Sequence, residues 1–201
     1  MLARLAIRLI QPAVAGLAHV LAARGIRADQ LSFGGFGVGL LAAVLITQQA
    51  YLAGLVGILL SRLCDGLDGA VARLTRPTDR GGFLDITLDF LFYAAIPLAF
   101  ALADPTENAL AAAVLLAAFM GTGSSFLAFA VIAAKRGMAS TAYPDKSFYF
   151  LGGLTEATET LGFFAAMCLW PQHFALLAFV FAGLCAVTTL TRLWWGWRAF
   201  D

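Results

Sequence analysis

The sequence predicts an all-α integral membrane protein, six transmembrane helices preceded by an N-terminal amphipathic helix lying in the interface. Three observations carry that expectation. The 201-residue chain is 61% hydrophobic and only 12% charged, about half the charged share of an ordinary soluble domain. Six apolar segments approach the ~20 residues that a helix needs to cross ~30 Å of hydrocarbon. Basic residues gather on alternate connections between those segments, as the positive-inside bias requires of a multi-pass chain.

The first 23 residues, MLARLAIRLIQPAVAGLAHVLAA, begin with arginines followed by an apolar run, a pattern shared with secretory signal peptides. Arg4, Arg8, Gln11 and His19, however, recur at roughly helical spacing with Leu2, Leu5 and Leu9 on other faces. That is the pattern of a helix in the plane of the interface, and residues 1–23 are read so. The spans then run roughly 31–48, 51–73, 82–103, 107–134, 147–169 and 172–195, so that residues 31–195 form a six-helix bundle and the whole chain, 1–201, one membrane domain. Pro105, Pro144 and Pro171 fall in the breaks, each lacking the amide hydrogen a continuing helix needs.

Arg24 and Arg27 precede the first span; Arg73, Arg76 and Arg80 lie between the second and third; Lys135, Arg136 and Lys146 lie between the fourth and fifth; Arg192 and Arg198 close the chain. The intervening connections hold no basic residue, which places both termini and the segment around residues 65–89 on the cytoplasmic side. Only Arg62 lies well inside a span, where its stem can snorkel or its head face the bundle. Net charge is +1, and no basic stripe suggests nucleic acid.

Several features call for packing rather than chemistry. Cys64, Cys168 and Cys185 all fall in spans without CxxC spacing and read as small packing residues. Gly34, Gly35, Gly37 and Gly39 read as sites of close helix approach. Trp194, Trp195 and Trp197 beside Arg192 and Arg198 read as an interfacial belt. Asp79 reads as a solvated turn residue.

The stretch CDGLDGAVARLTRPTDRGGFLDITLDF, residues 64–90, stands apart, with five aspartates and three arginines in an apolar chain. On a helix Asp65, Asp68, Gly69, Ala72 and Arg73 share one face at the end of the second span, and Gly81, Asp85 and Asp89 share one face at the start of the third. An antiparallel hairpin lets these faces meet. Four carboxylates brought together repel steeply as the dielectric falls, and a divalent cation relieves that repulsion. All-oxygen ligands select a hard ion such as Mg²⁺, Mn²⁺ or Ca²⁺, and four carboxylates suffice to bridge two ions. Gly69 and Ala72 leave room for a bulky group, and Arg73 can pair with a phosphate.

These residues resemble the signature of the CDP-alcohol phosphatidyltransferases, D-x-x-D-G-x-x-A-R followed by G-x-x-x-D-x-x-x-D. Asp65, Asp68, Gly69, Ala72, Arg73, Gly81, Asp85 and Asp89 stand at all eight specified positions, with seven residues between Arg73 and Gly81 where eight is commoner. The resemblance implies transfer of a phosphatidyl or related group from a CDP-linked lipid, with CDP-diacylglycerol the expected donor, to a hydroxyl of a small alcohol acceptor, releasing CMP. It further implies Mg²⁺ or Mn²⁺, as two ions, held by Asp65, Asp68, Asp85 and Asp89, with Asp89 also the catalytic base. Gly69, Ala72, Arg73 and Gly81 would line the cytidine and diphosphate pocket. A homodimer in the bacterial inner membrane, with the site facing the cytoplasm, is likewise implied.

The acceptor is expected near Lys135, Arg136, Glu156, Glu159 and Arg192, with Lys146 close by. Phosphate-accepting branches of the family are expected to carry arginines where this chain has Ala157 and Thr160. Glu156 and Glu159 either cap or pair structurally, or form an acceptor pocket with less appetite for phosphate. Two other classes compete. A divalent-cation transporter also places carboxylates in membranes, but the acids lie at one end only and Arg73 opposes cation passage. An intramembrane prenyltransferase uses metal-bound aspartates at other spacings, often in repeats, and this chain has no internal repeat.

Overall fold

The computed structural model describes residues 2–138 and 154–200, and of residues 2–11 and 13 the backbone only. Lys146, Pro144 and the first part of the span expected at 147–169 lie outside the described residues. The described elements are helical, with no strand among them: α1 (Leu2–Ala23), α2 (Ala28–Thr47), α3 (Tyr51–Leu74), α4 (Asp79–Ala103), α5 (Pro105–Lys135), α6 (Ala157–Leu169) and α7 (Phe174–Phe200), with a 3₁₀ turn, Pro171–His173, leading into α7.

Local chemistry accounts for where these helices start. The amide of Arg27 donates to Gln30 Oε1 at 2.9 Å ahead of α2, and Asp104 Oδ1 accepts from the amide of Glu107 at 3.2 Å ahead of α5, with Pro105 in the first helical position. Thr78 Oγ1 accepts from the amide of Gly81 at 3.1 Å, so α4 begins at Asp79, earlier than the hydrophobic pattern indicates. Asp79 is therefore a helix-start residue and not part of the turn, its charge favourable against the amino end of the helix dipole. α2 gives way to α3 in a tight turn in which Gln49 takes a positive φ of 61°.

Among the described residues four segments are long and apolar enough to cross a membrane, Ala28–Thr47, Asp79–Ala103, Pro105–Lys135 and Pro171–Phe200. α3 has 24 residues, but its polar residues Arg62, Asp65, Asp68 and Arg73 keep it out of that set, and α6 is described over 13 residues. Large apolar side chains on these helices point outward, Met120 at 73% and Leu110 at 71% exposure. In water such a surface would be an aggregation liability; against acyl chains it is what a lipid-facing helix presents.

The chain forms two compact units, Met1–Ala99 and Phe100–Asp201, divided within α4. In the first, α2 and α3 pack at very close range: a Cβ on Gly35 would lie 2.6 Å from Cys64 Cβ, and one on Gly54 would lie 2.6 Å from Ile46 Cγ1. Gly39 meets the Phe92 ring as closely, whereas Gly34 and Gly37 meet no atom of the described residues within 4 Å. Among the described residues, then, the i, i+4 pair Gly35 and Gly39 serves helix approach. α1 lays Ala18 against Leu67, Ala70 and Val71 of α3, with Val14, Leu21 and Leu31 around them.

The second unit is built on α5 and α7, with α6 beside α7. Phe100 and Phe174 stack with ring centroids 4.5 Å apart, and Phe163 and Phe181 at 4.4 Å. Among the buried polar groups here, Asn108 Nδ2 donates to Phe100 O at 3.1 Å and Thr155 and Thr188 share a hydroxyl contact of 2.9 Å, while Arg192 Nε has no partner among the described residues. Cys64, Cys168 and Cys185 are free thiols, the last two buried.

Candidate active site

The polar stripe of α3 and that of α4 meet within the first unit. Asp65 and Asp68 come from α3, three residues apart, and Asp85 comes from the second turn of α4. One carboxylate oxygen from each of the three lies within 4.8 Å of the others. Their surroundings differ. Asp68 is only 6% exposed, and its Oδ2 accepts a 2.5 Å hydrogen bond from Ser32 Oγ of α2; Asp65 is half-buried and Asp85 exposed. Three carboxylates so close are a poor arrangement for an apolar environment unless a cation shares their charge. Hard oxygen donors, one anchored by a hydroxyl, fit a divalent ion such as Mg²⁺ or Mn²⁺.

Asp89 lies one helical turn further along α4 and is held differently. Its Oδ1 accepts from Arg62 Nη1 at 2.5 Å, and the same Nη1 lies 3.6 Å from Asp65 Oδ2. Asp89 lines the same cavity as the three carboxylates, together with Ser32, Phe36 and Arg62. The Arg62 head therefore faces into the unit rather than snorkelling away, its Cζ 4.0 Å from the centre of the Phe92 ring.

Gly69, Ala72 and Arg73 follow on the last two turns of α3, with Arg73 exposed and its Nη1 3.3 Å from where a Gly69 Cβ would stand. Gly81 sits in the first turn of α4 beside Thr78 and Asp29. Arg80 pairs with Asp29, tying the start of α4 to the start of α2. All eight motif residues thus belong to one hairpin, three aspartates converging and the fourth held by an arginine.

The residues expected around the acceptor lie in the second unit and are tied into structure. The amide of Glu156 donates to Glu159 Oε2 at 3.2 Å, which closes the start of α6. Arg136 donates to the carbonyls of Ala199, at 3.3 Å, and of Phe200, at the end of α7. Arg192 is 8% exposed and donates from Nη1 to Thr122 O at 2.9 Å, so it is an interior link between α7 and α5 rather than an interfacial anchor. Lys135 is exposed in the last turn of α5.

Two residues of the site escape the motif. Ser32 carries no local signal, since its partner is 36 residues away. Arg62 carried one: a cation well inside an apolar span, three residues before an aspartate, requires a partner.

Comparison with known proteins decides the family. The sequence model of the CDP-alcohol phosphatidyltransferases matches residues 26–195. The chain belongs to this family. Over 188 residues it is 54% identical to the inner membrane protein YnjF of Escherichia coli, covering 94% of this chain and 91% of that one. A shorter match, 40% identical over 88 residues, covers 43% of this chain and 46% of the archaetidylinositol phosphate synthase of Pyrococcus horikoshii. The fold is that of the phosphatidylinositol phosphate synthase of Mycobacterium tuberculosis in its structure with CDP-DAG bound, at a TM-score of 0.72 and 20% identity, over 92% of this chain and 93% of that one. The same synthase in complex with manganese and citrate gives 0.71 at 21% identity, over 92% and 88%.

Proposed function

We propose that this family member is a divalent-cation-dependent membrane enzyme that moves a phosphatidyl group from CDP-diacylglycerol to a hydroxyl of a small alcohol, releasing CMP. The observation that carries the reading is the convergence of Asp65, Asp68 and Asp85 from two helices, beside the Gly69–Arg73 face. The CDP-DAG and manganese of the structurally similar synthase support the donor and the metal class.

Asp65, Asp68 and Asp85 would hold the cation. When bound there, such an ion neutralises diphosphate charge, which makes the phosphorus a better electrophile and CMP a better leaving group. Arg73 pairs with a phosphate of the donor, and the lack of side-chain bulk at Gly69, Ala72 and Gly81 admits the nucleotide against the helix. Asp89 accepts the proton of the acceptor hydroxyl as its oxygen bonds to the lipid-bearing phosphorus, and the bond from that phosphorus to the CMP oxygen breaks. CMP leaves with the electron pair and the acceptor is left as a phosphodiester.

The setting we propose is six spans, α2 to α7, in a bacterial inner membrane with the carboxylates on the cytoplasmic side and α1 in the interface. YnjF, by its name an inner membrane protein, supports the location, and the distribution of arginine and lysine supports the sidedness. Family membership favours transfer over cation transport or prenyl transfer.

The test is incubation of purified protein with CDP-diacylglycerol, Mg²⁺ or Mn²⁺ and a panel of alcohols, with CMP quantified and the lipid product identified by mass spectrometry. Metal-dependent CMP release coupled to a new phosphodiester lipid is expected. Absence of CMP release with every acceptor would overturn the reading.

A further inference from the structure

Arg62 lies outside the family motif but inside its site. The cavity that Asp65, Asp68, Asp85 and Asp89 line has, among the described residues around it, Arg62 as its one cation. A single atom bridges the two helices: Nη1 donates to Asp89 Oδ1 of α4 at 2.5 Å and lies 3.6 Å from Asp65 Oδ2 of α3. A positive group between carboxylates of two helices does there what a bridging metal ion does, with one charge instead of two. The head also touches groups that carry no charge. Its Cζ lies 4.0 Å from the centre of the Phe92 ring and 5.6 Å from that of Tyr93, and Nη2 donates to Ser61 Oγ at 3.4 Å. Aromatic faces attract a guanidinium without needing a counter-charge.

Asp65 Oδ2 and Asp89 Oδ1 are therefore contested. Both are hard donors that suit a divalent cation, whose double charge attracts them more strongly than a guanidinium does. Without a cation of either kind the carboxylates of α3 and α4 repel one another across the hairpin, and removing one partner of a buried ion pair leaves uncompensated charge in poor solvent.

We propose that Arg62 is an exchangeable counter-ion. It holds Asp65 and Asp89 together until a divalent cation takes those oxygens, then withdraws onto the Phe92 and Tyr93 faces and leaves all four aspartates free to ligate. This role rests on the metal site proposed above and is independent of the transfer step.

The test is thermal unfolding of the purified full-length protein, of Arg62→Met and of the double variant Arg62→Met with Asp89→Asn, in one detergent, each with excess chelator and with saturating Mn²⁺. Arg62→Met keeps the apolar stem and removes the charge. Its midpoint is expected roughly 5 °C below the parent with chelator, and within about 2 °C of the parent with Mn²⁺. Its Mn²⁺ affinity, read from the electron paramagnetic resonance signal of the free ion, is expected to be about tenfold tighter, because no guanidinium competes for the oxygens. Asp89→Asn in the double variant removes one of the repelling charges and is expected to restore about half of the loss seen with chelator. A role in packing alone lowers both midpoints equally and gains nothing from Asp89→Asn. Equal losses with chelator and Mn²⁺, no loss in either, or unchanged or weaker Mn²⁺ binding therefore overturns the proposal. Should Arg62→Met not fold with chelator, the double variant carries the test: it is expected to fold there, and its failure to do so overturns the proposal. A parent midpoint that Mn²⁺ does not raise overturns the metal site and this role with it, whereas a parent that Mn²⁺ stabilises but that releases no CMP from CDP-diacylglycerol overturns the transfer reading alone.

Discussion

At the scale of single residues the site divides by how far apart in the chain its partners stand. Asp65, Asp68 and Asp85 were legible because helical spacing puts the first two on one face and a short turn returns the third to meet them. Ser32 was not, since its bond to Asp68 crosses from α2 to α3 and no spacing rule reaches across 36 residues. The inward aim of Arg62 was undecided for a similar reason: a long stem fits snorkelling and burial equally well until Phe92 and Asp89 are seen beside it. Two outcomes follow from this geometry. Asp68→Asn keeps an oxygen for Ser32 but removes a charge, so CMP release should be abolished and Mn²⁺ binding greatly weakened while circular dichroism of the helices stays unchanged. Normal turnover by that variant would remove Asp68 from the metal site. Ser32→Ala leaves all the carboxylates in place and loses the hydrogen bond that orients one, besides a 3.2 Å contact with Ala28 O on its own helix, so a smaller loss of Mn²⁺ affinity, about tenfold, is expected by calorimetry.

At the scale of helices the hydrophobic pattern located the segments and their turns, while details of capping and register lay beyond it. α4 begins at Asp79 because a threonine hydroxyl closes its first turn, and a threonine in a polar turn gives no unambiguous sign of that. The glycines of α2 show the same limit more sharply: Gly34, Gly35, Gly37 and Gly39 are indistinguishable by composition, yet among the described residues only Gly35 and Gly39 stand against neighbouring atoms. Which face a neighbour covers depends on packing between helices, and sequence periodicity is weak where a helix is apolar all round. The difference is measurable. At Gly35 a new Cβ would stand 2.6 Å from Cys64 Cβ, an atom fixed to its backbone, so Gly35→Ala should force α2 and α3 apart and cost about 1–3 kcal/mol. Gly34→Ala meets nothing within 4 Å and should be neutral or stabilising by up to ~1 kcal/mol through helix propensity. Thermal unfolding of both variants in the same detergent checks the pair, and equal midpoints would mean that α2 does not approach α3 as described.

At the scale of the whole molecule, charge distribution and acceptor choice are the features to decide. Cysteines introduced at Arg76 and Ala142, after replacement of the three native ones, should react with a membrane-impermeant reagent from the cytoplasmic side, and cysteines at Gln49 and Thr106 from the opposite side. Labelling of positions 76 and 106 from one side would break the proposed six-span arrangement. Acceptor choice turns on positive charge. Where phosphate-accepting relatives are expected to carry arginines, this chain has Ala157 and Thr160, and the Thr160 hydroxyl donates back to Glu156 O at 3.0 Å. Arg192 and Arg136, two cations of this unit, already donate to the carbonyls of Thr122, Ala199 and Phe200. Glu156 and Glu159 close the start of α6 and add negative charge there. Each charge-assisted hydrogen bond missing from a phosphate contributes roughly 1.5–3 kcal/mol, so two of them amount to about a hundredfold or more in affinity. The enzyme should therefore prefer an unphosphorylated alcohol or amino alcohol to glycerol phosphate or inositol phosphate. The measurement is kcat/KM for each alcohol with and without its phosphate, at fixed CDP-diacylglycerol. A preference for the phosphorylated form would require Arg192, Arg136 or Lys135 to leave the positions seen here and supply the charge, which Arg192→Gln would then expose as a selective loss of the phosphorylated substrate.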